Sequence, residues 1–215
     1  LPHTKFEKKM LVKSGATPSN MSLLPNVVDT GLFRPAGKKQ KVVLFVSSLI
    51  REKGADVAMK IAEEATKKRD VKFVFIGGAN DATLLPEIRR LSKNSRIKFL
   101  GNVPLKELIR WYQKALVFVL PSRYEAFAKV AAEAEACETA VVSTKTGGIP
   151  EVVTEKSGFL VDHGDWSGMR ERIEQLLDKP LTARRMGRRG RLHVRRNFDT
   201  EAVGRKLLDV YEEIL

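Results

Sequence analysis

Residues 115–151 read ALVFVLPSRYEAFAKVAAEAEACETAVVSTKTGGIPE, and the fold is decided there. Residues 115–120 form an unbroken apolar run, the pattern of a strand buried on both faces of a parallel sheet. Pro121, Ser122 and Arg123 make a turn, and the spacing after it predicts a helix over 126–137. A second apolar run at 140–143 predicts the next strand, and Gly147 with Gly148 opens a short helical turn. The same stretch carries two carboxylates. Glu125 falls at the mouth of the expected helix, and Glu133 lies eight residues on, about two helical turns further. A loop carboxylate, a run of unpaired helix-start N–H groups and a second carboxylate suit a ligand with a sugar at one end, a phosphate in the middle and a ribose diol beyond.

The pattern repeats outward. Upstream, strands are expected at 42–47, at 71–76 ending in Gly77 and Gly78, and at 97–100 before Gly101. Between them lie a helix at 55–68, with Val57, Ile61 and Ala65 on one face, and a helix at 84–91. Pro104 begins a further helix whose inner face is Leu105, Leu108 and Tyr112. Downstream, residues 158–161 give a short sixth strand. Helices are then expected at 166–178, 181–196 and 200–215, with Pro180 and residues 197–199 as breaks. Strands alternating with helices give an α/β fold: a doubly wound, six-stranded parallel sheet, Rossmann-like, with extra C-terminal helices. Its expected strand order is 3-2-1-4-5-6, and ligands bind such sheets where the order reverses, beyond strands one and four. The loops there are 47–54 and 121–127.

Residues 1–40 read as an interdomain segment packed on the next domain. Phe6, Met10 and Leu11 have helical spacing, ended by Ser14 and Gly15; residues 21–24 are a short strand candidate, 25–35 are turn-rich, and 37–40 are a basic connector. Residues 41–198 form the ligand-binding domain, and residues 199–215 a closing helix.

Composition narrows the class. The 215 residues are 43% hydrophobic and 30% charged, ordinary for a soluble protein. No apolar stretch is long enough to span a bilayer, and no signal peptide is visible. The chain starts at Leu1 without an initiator Met, which reads as a piece of something longer. The single cysteine, Cys137, excludes an internal disulfide and reads as a small core residue. No Cys/His cluster offers a zinc site. His3, His163 and His193 have no visible partners. A net charge of +13, from 39 basic against 26 acidic residues, favours anionic partners. The densest basic run, RRMGRRGRLHVRR at 184–196, spreads over more than one helical face by its spacing. It could meet an anionic membrane surface, and it lacks the interleaved aromatic residues of a nucleic-acid site.

The first loop of the rim, SSLIREKGAD at 47–56, is neither GxGxxG nor a Walker loop. Lys53 precedes a helix there and could meet a diphosphate; a solvated lysine is the plainer alternative. Glu125 could accept from sugar hydroxyls, or simply favour a helix start. The N–H groups of Phe127, Ala128, Lys129 and Val130 could hold a phosphate. Glu133 could bridge a ribose diol, or lie at the surface as Glu135 and Glu138 are expected to do.

Six segments in order then carry a resemblance: PNVVDTGLFRP, VVLFVSSLIREKG, FLGNVP, VLPSRYEAFAKVAAEAEAC, TGGIPEVV and FDTEAVGRKLLDVYEEIL. Almost end to end, the chain resembles the C-terminal, donor-binding domain of a GT-B, retaining glycosyltransferase of the family 4, or group 1, type. The resemblance implies sugar transfer from a nucleotide-sugar to an acceptor hydroxyl with retention. Glu125 would contact the donor sugar, Lys53 the diphosphate, backbone at Phe127 to Val130 the distal phosphate, Glu133 the ribose, and backbone near Val103 the base. Lys53 and Glu125 are the residues nearest the reaction. No metal or other cofactor is implied. An N-terminal acceptor-binding domain would be the missing partner, with residues 199–215 packing back toward it, so the chain alone should be inactive. A cytoplasmic location is expected, with peripheral attachment at a membrane's cytosolic face as an alternative. Some positions depart from the pattern. Ser47 and Ser48 stand in place of Gly-Arg, with Arg51 as a substitute cation; Ala126 and Ala128 replace glycines flanking Phe127; Val27, Glu138 and Ala140 replace two glycines and a proline. These departures keep open a catalytically degenerate sugar-nucleotide-binding or scaffold domain. A basic nucleic-acid-binding domain is a remote third reading.

Overall fold

The computed structural model describes residues 1–214. Six parallel strands run β3-β2-β1-β4-β5-β6, with β1 at Gln40–Val46, β2 at Lys72–Ile76, β3 at Ile97–Phe99, β4 at Ala115–Leu120, β5 at Ala140–Thr144 and β6 at Gly158–Val161. This is the expected doubly wound order, and it reverses between β1 and β4.

β4 is apolar along its whole length, and β1 from Val42 onward, because helices cover both faces. Val43 and Phe45 of β1 enter one core layer, with Ile61 and Ala65 of α2 (Ala55–Lys68) and Met169 and Ile173 of α7 (Trp166–Asp178). Val42, Leu44 and Val46 enter the other, with Ile109 and Tyr112 of α4 (Leu105–Lys114) and Ala131 and Ala132 of α5 (Lys129–Ala136). Period-two alternation in one strand thus feeds two cores. Shorter helices α1 (Lys5–Lys13), α3 (Leu85–Leu91) and α6 (Ile149–Val152) and the C-terminal pair α8 (Pro180–Asn197) and α9 (Thr200–Ile214) complete the chain.

Residues 28–33 are laced to the C-terminal helices. The Val28 N–H donates to the Phe198 carbonyl at 2.8 Å, and the Thr30 N–H to Asp199 Oδ1 at 3.0 Å. The Arg191 guanidinium donates to the carbonyls of Phe33, Thr30 and Ala136. Next along the chain, Lys39 places its amine on the carbonyls of Tyr112 and Cys137 and on Thr139 Oγ1, and burial lowers its pKa to about 8.

Several expectations need correction. Residues 21–24 pair with no strand; they are held as single chain, with the Leu24 N–H on the Pro2 carbonyl. The helix expected at 126–137 starts three residues later, because Ala128 adopts a left-handed conformation (φ 65°) that no helix can pass through. The break expected at Pro180 falls there, between α7 and α8, and the proline itself opens α8, one residue before the expected start. Glu135 is fully buried, not solvent-facing: α8 lies so close that a Cβ at Gly190 would stand 3.0 Å from its carboxyl carbon. Neither Glu135 oxygen accepts a hydrogen bond, and burial pushes the carboxyl up to about 8. Glu138 is half-buried in the left-handed position (φ 58°) that ends α5, where Thr139 N–H returns to the Ala134 carbonyl. Cys137 is a buried core residue, and burial raises its thiol to about 12.

Candidate functional site

The loops after β1 and β4 meet at the point where strand order reverses, and backbone contacts lock them. The Arg123 N–H donates to the Glu52 carbonyl at 2.8 Å, and the Arg123 guanidinium grips both Asp56 oxygens at 3.1 and 2.9 Å. Gly54 (φ 71°) starts α2 so near the second loop that a Cβ there would sit 2.1 Å from the Pro121 carbonyl oxygen. Glycine is required at this crossing.

The clamp brings two predicted residues together. Lys53 Nζ lies 2.8 Å from Glu125 Oε1, which also accepts from Ser122 Oγ at 3.1 Å. Their side chains are 30% and 13% exposed, so the pair can be reached from the rim. Other residues of the first loop stay outside the pair. Ser48 is half-buried and its carbonyl accepts from Ile50, while the exposed Arg51 guanidinium stands 3.6 Å from Asp56.

The second loop is shaped from behind by the glycine pair. The Gly148 N–H donates to the Glu125 carbonyl at 2.9 Å, and Cβ atoms at Gly147 and Gly148 would fall 1.9 Å from the carbonyl oxygens of Glu125 and Ala126. These glycines admit the neighbouring loop's own backbone. The Ala126 carbonyl accepts from Thr4 Oγ1 at 2.9 Å, and Phe127 is buried against the Phe198 ring. Ala128 then caps α5, whose first N–H groups are those of Lys129 and Val130; Lys129 is exposed and Val130 half-buried. Helix-start groups of this kind carry partial positive charge.

Since α5 begins at Lys129, Glu133 lies one turn into it, nearer its N-terminus than the sequence spacing suggests. Glu133 is 8% exposed, and the wholly buried Tyr112 donates to its Oε2 at 3.0 Å. Burial raises the Glu133 carboxyl above the ordinary value, against that hydrogen bond and the nearby Lys129 charge. Val103 comes after β3 on the same rim, half-buried against the core layer of α4 and α5.

Sequence reasoning did not single out Ser122 or the Tyr112 hydroxyl as site-shaping groups. Ser122 was findable, three residues before Glu125 in one turn; Tyr112 has the spacing of a core residue, and its partner comes from another helix. Nor was the reach of residues 1–13 foreseen. Glu151 accepts from the Lys5 and Phe6 N–H groups at 2.8 and 2.9 Å, at the start of α1, and Phe6 packs on Tyr124 with ring centroids 5.8 Å apart. His3 and His193 do have partners, the carbonyls of Leu24 and Glu151. Two clefts flank the rim. One of 420 Å³ is bordered by Thr4, Phe127, Glu151 and His193, and one of 220 Å³ by Val57, Pro121, Arg123 and Trp166. Lys53 and Glu125 line neither.

No helix among the described residues is long and apolar enough to cross a membrane. The chain is 34% identical over 218 residues to a D-inositol 3-phosphate glycosyltransferase of Segniliparus rotundus, covering 93% of this chain and 48% of that one. It is 32% identical to a protein of the same description from Corynebacterium diphtheriae, covering 91% and 51%. The chain therefore spans about half the length of the curated relatives it matches. Among solved structures, the sucrose-phosphate synthase of Thermosynechococcus elongatus superposes with a TM-score of 0.84 at 26% identity, covering 99% of this chain and 57% of that one. HepE of Anabaena in complex with UDP-glucose superposes at 0.87 with 18% identity, covering 99% and 63%, a likeness of fold. The pattern of the family described as "Glycosyl transferases group 1" matches residues 33–193, a span holding the clamped loops, the Lys53–Glu125 pair and Glu133. On that match the chain belongs to the group 1 glycosyl transferases.

Proposed function

We propose that this chain is the donor-binding half of a retaining glycosyltransferase that uses a nucleotide-diphosphate sugar. The observation that carries the reading is Lys53 and Glu125 joined at the strand-order reversal, four residues before the start of α5, whose first turn leads to Glu133. Relatives support it coarsely: HepE is described with UDP-glucose, and the two curated relatives are described as glycosyltransferases. In this reading Lys53 meets the diphosphate and the N–H groups from Phe127 to Val130 hold its distal phosphate. Glu125 accepts from donor sugar hydroxyls, Glu133 bridges the ribose diol, and backbone at Val103 meets the base. Ser48, Ala126 and Ala128 shape the approach, and Arg51 is a further cation of the first loop.

When the glycosidic bond to phosphate breaks, negative charge grows on the leaving diphosphate. Fixed positive groups aimed there lower the barrier. Lys53 and the α5 N–H groups are such groups, so the reading assigns no metal. The acceptor is assigned to a separate acceptor-binding domain, and this chain alone is expected to bind donor without turning it over.

A titration calorimetry panel of UDP-, GDP- and ADP-sugars tests the reading, with Glu133→Ala as control. Saturable binding of at least one, weakened by the substitution, supports it; undiminished binding by the variant removes Glu133 from the site. A second reading, a degenerate binding or scaffold domain, is favoured by Ser48 standing where the family pattern has arginine. The absence of saturable binding by a folded sample would decide for it.

A further inference from the structure

Helix α8 carries seven arginines and no acidic residue. Its inner side is fixed: Ala183, Gly187, Gly190 and Val194 are buried, and a Cβ at Gly187 would stand 2.1 Å from the Glu138 carbonyl oxygen. Arg191 also points inward, to three carbonyls. The other six arginines, 184, 185, 188, 189, 195 and 196, are all exposed. At about 100° per residue they fall within one arc of about 140°, so the expected spread over more than one helical face does not occur. Leu181 and Leu192, 78% and 52% exposed, lie near the middle of that arc, with arginines on both sides.

None of the six makes an ion pair among the described residues. The face continues past the helix on both flanks, to Lys38 across a 180 Å³ groove and to Lys156 across a 660 Å³ groove; Glu138 and Glu155 are the acids at those margins. Six cations along roughly 18 Å of helix repel one another unless an anionic surface meets them. Two leucines gain nothing from a phosphate backbone, and no aromatic residue stands on the face to stack with a base. Basic residues framing an apolar centre are what a helix lying in a bilayer interface presents.

We propose that the outer face of α8 docks flat on an anionic phospholipid bilayer, with its arginines on lipid phosphates and Leu181 and Leu192 at the headgroup–acyl boundary. The test is co-sedimentation of the chain with vesicles of phosphatidylcholine and phosphatidylglycerol, against phosphatidylcholine alone and against a short DNA duplex. All substituted side chains are exposed, so the variants keep the fold. Binding is expected to the mixed vesicles only. The triple variant Arg184→Gln, Arg188→Gln, Arg195→Gln should weaken it by about a hundredfold, at roughly fivefold per arginine. The variant Leu181→Ser, Leu192→Ser should weaken it about tenfold or more without changing any affinity for the duplex. Failure of the unaltered chain to bind mixed vesicles overturns the proposal. So does a leucine variant that binds them as well as the unaltered chain while the duplex displaces it, which would make the face a general polyanion surface.

Discussion

Lys53 and Glu125 come from loops 72 residues apart and meet at 2.8 Å, so each is the other's partner until a ligand competes for one of them. The two halves of a nucleotide-sugar should therefore separate their roles. Lys53→Met should weaken binding of both the nucleoside diphosphate and its sugar, about 10- to 100-fold, through loss of a charge-assisted hydrogen bond. Glu125→Gln should weaken the sugar-bearing ligand and leave the free diphosphate unchanged or tighter, since Lys53 loses its competitor. Calorimetry with both ligands on both variants reads this directly; equal losses on Glu125→Gln would remove the sugar contact.

Tyr112 holds Glu133 at 3.0 Å inside the protein. Glu133→Ala should abolish discrimination between a ribonucleotide-sugar and its deoxyribose analogue, which the unaltered chain should make by about tenfold or more. Tyr112→Phe keeps the ring and removes the donor, at a cost of roughly 1–3 kcal/mol in stability from a buried carboxyl left unpaired. Denaturant midpoints check the second expectation, and a variant as stable as the original would contradict it.

Glu138 occupies a left-handed position at φ 58°. Glu138→Gly should stabilise the chain by about 0.5–1 kcal/mol, after the greater freedom of unfolded glycine is discounted, raising Tm by roughly 1–4 °C. Gly54→Ala should do the reverse and more strongly, because its Cβ would overlap the Pro121 carbonyl. Calorimetric melting of the two variants gives both signs.

Burial raises the Glu135 pKa to about 8 from 4.5. The folded state thus holds a proton that the unfolded state releases. The associated stability is full below pH about 4.5 and is lost as pH rises toward 8, with a slope of roughly 1.4 kcal/mol per pH unit. Glu133, also raised, acts in the same sense. Glu135→Gln should remove most of that slope in urea titrations at several pH values; an unchanged slope would assign it elsewhere.

The sheet was legible because its strands carry dense apolar runs bounded by Gly or Pro, and buried parallel strands leave no polar face to confuse the reading. Periodicity placed β4 and β6 on their observed bounds. It failed at Ala128, where alanine in a glycine's conformation delays a helix that its propensity would start earlier. It failed at Glu135 because burial came from α8, whose glycines permit an approach that local pattern does not encode. Lys53 and Glu125 were legible one at a time. That they touch depends on Gly54, Pro121 and Arg123 setting the height of two loops, a relation of three dimensions with no trace in spacing. In α8, successive 100° steps put all seven arginines within about 160°, with Arg191 at the edge nearest the buried side, so one face and not several is written in the run.

Glu151 sits directly behind the glycine pair that backs Glu125, and its carboxylate is also the anchor for the first turn of α1. A pull or twist on the opening residues of the chain therefore passes through two hydrogen bonds into the turn beneath Glu125. The first helix is thereby tied to the candidate loop at one carboxylate, Glu151.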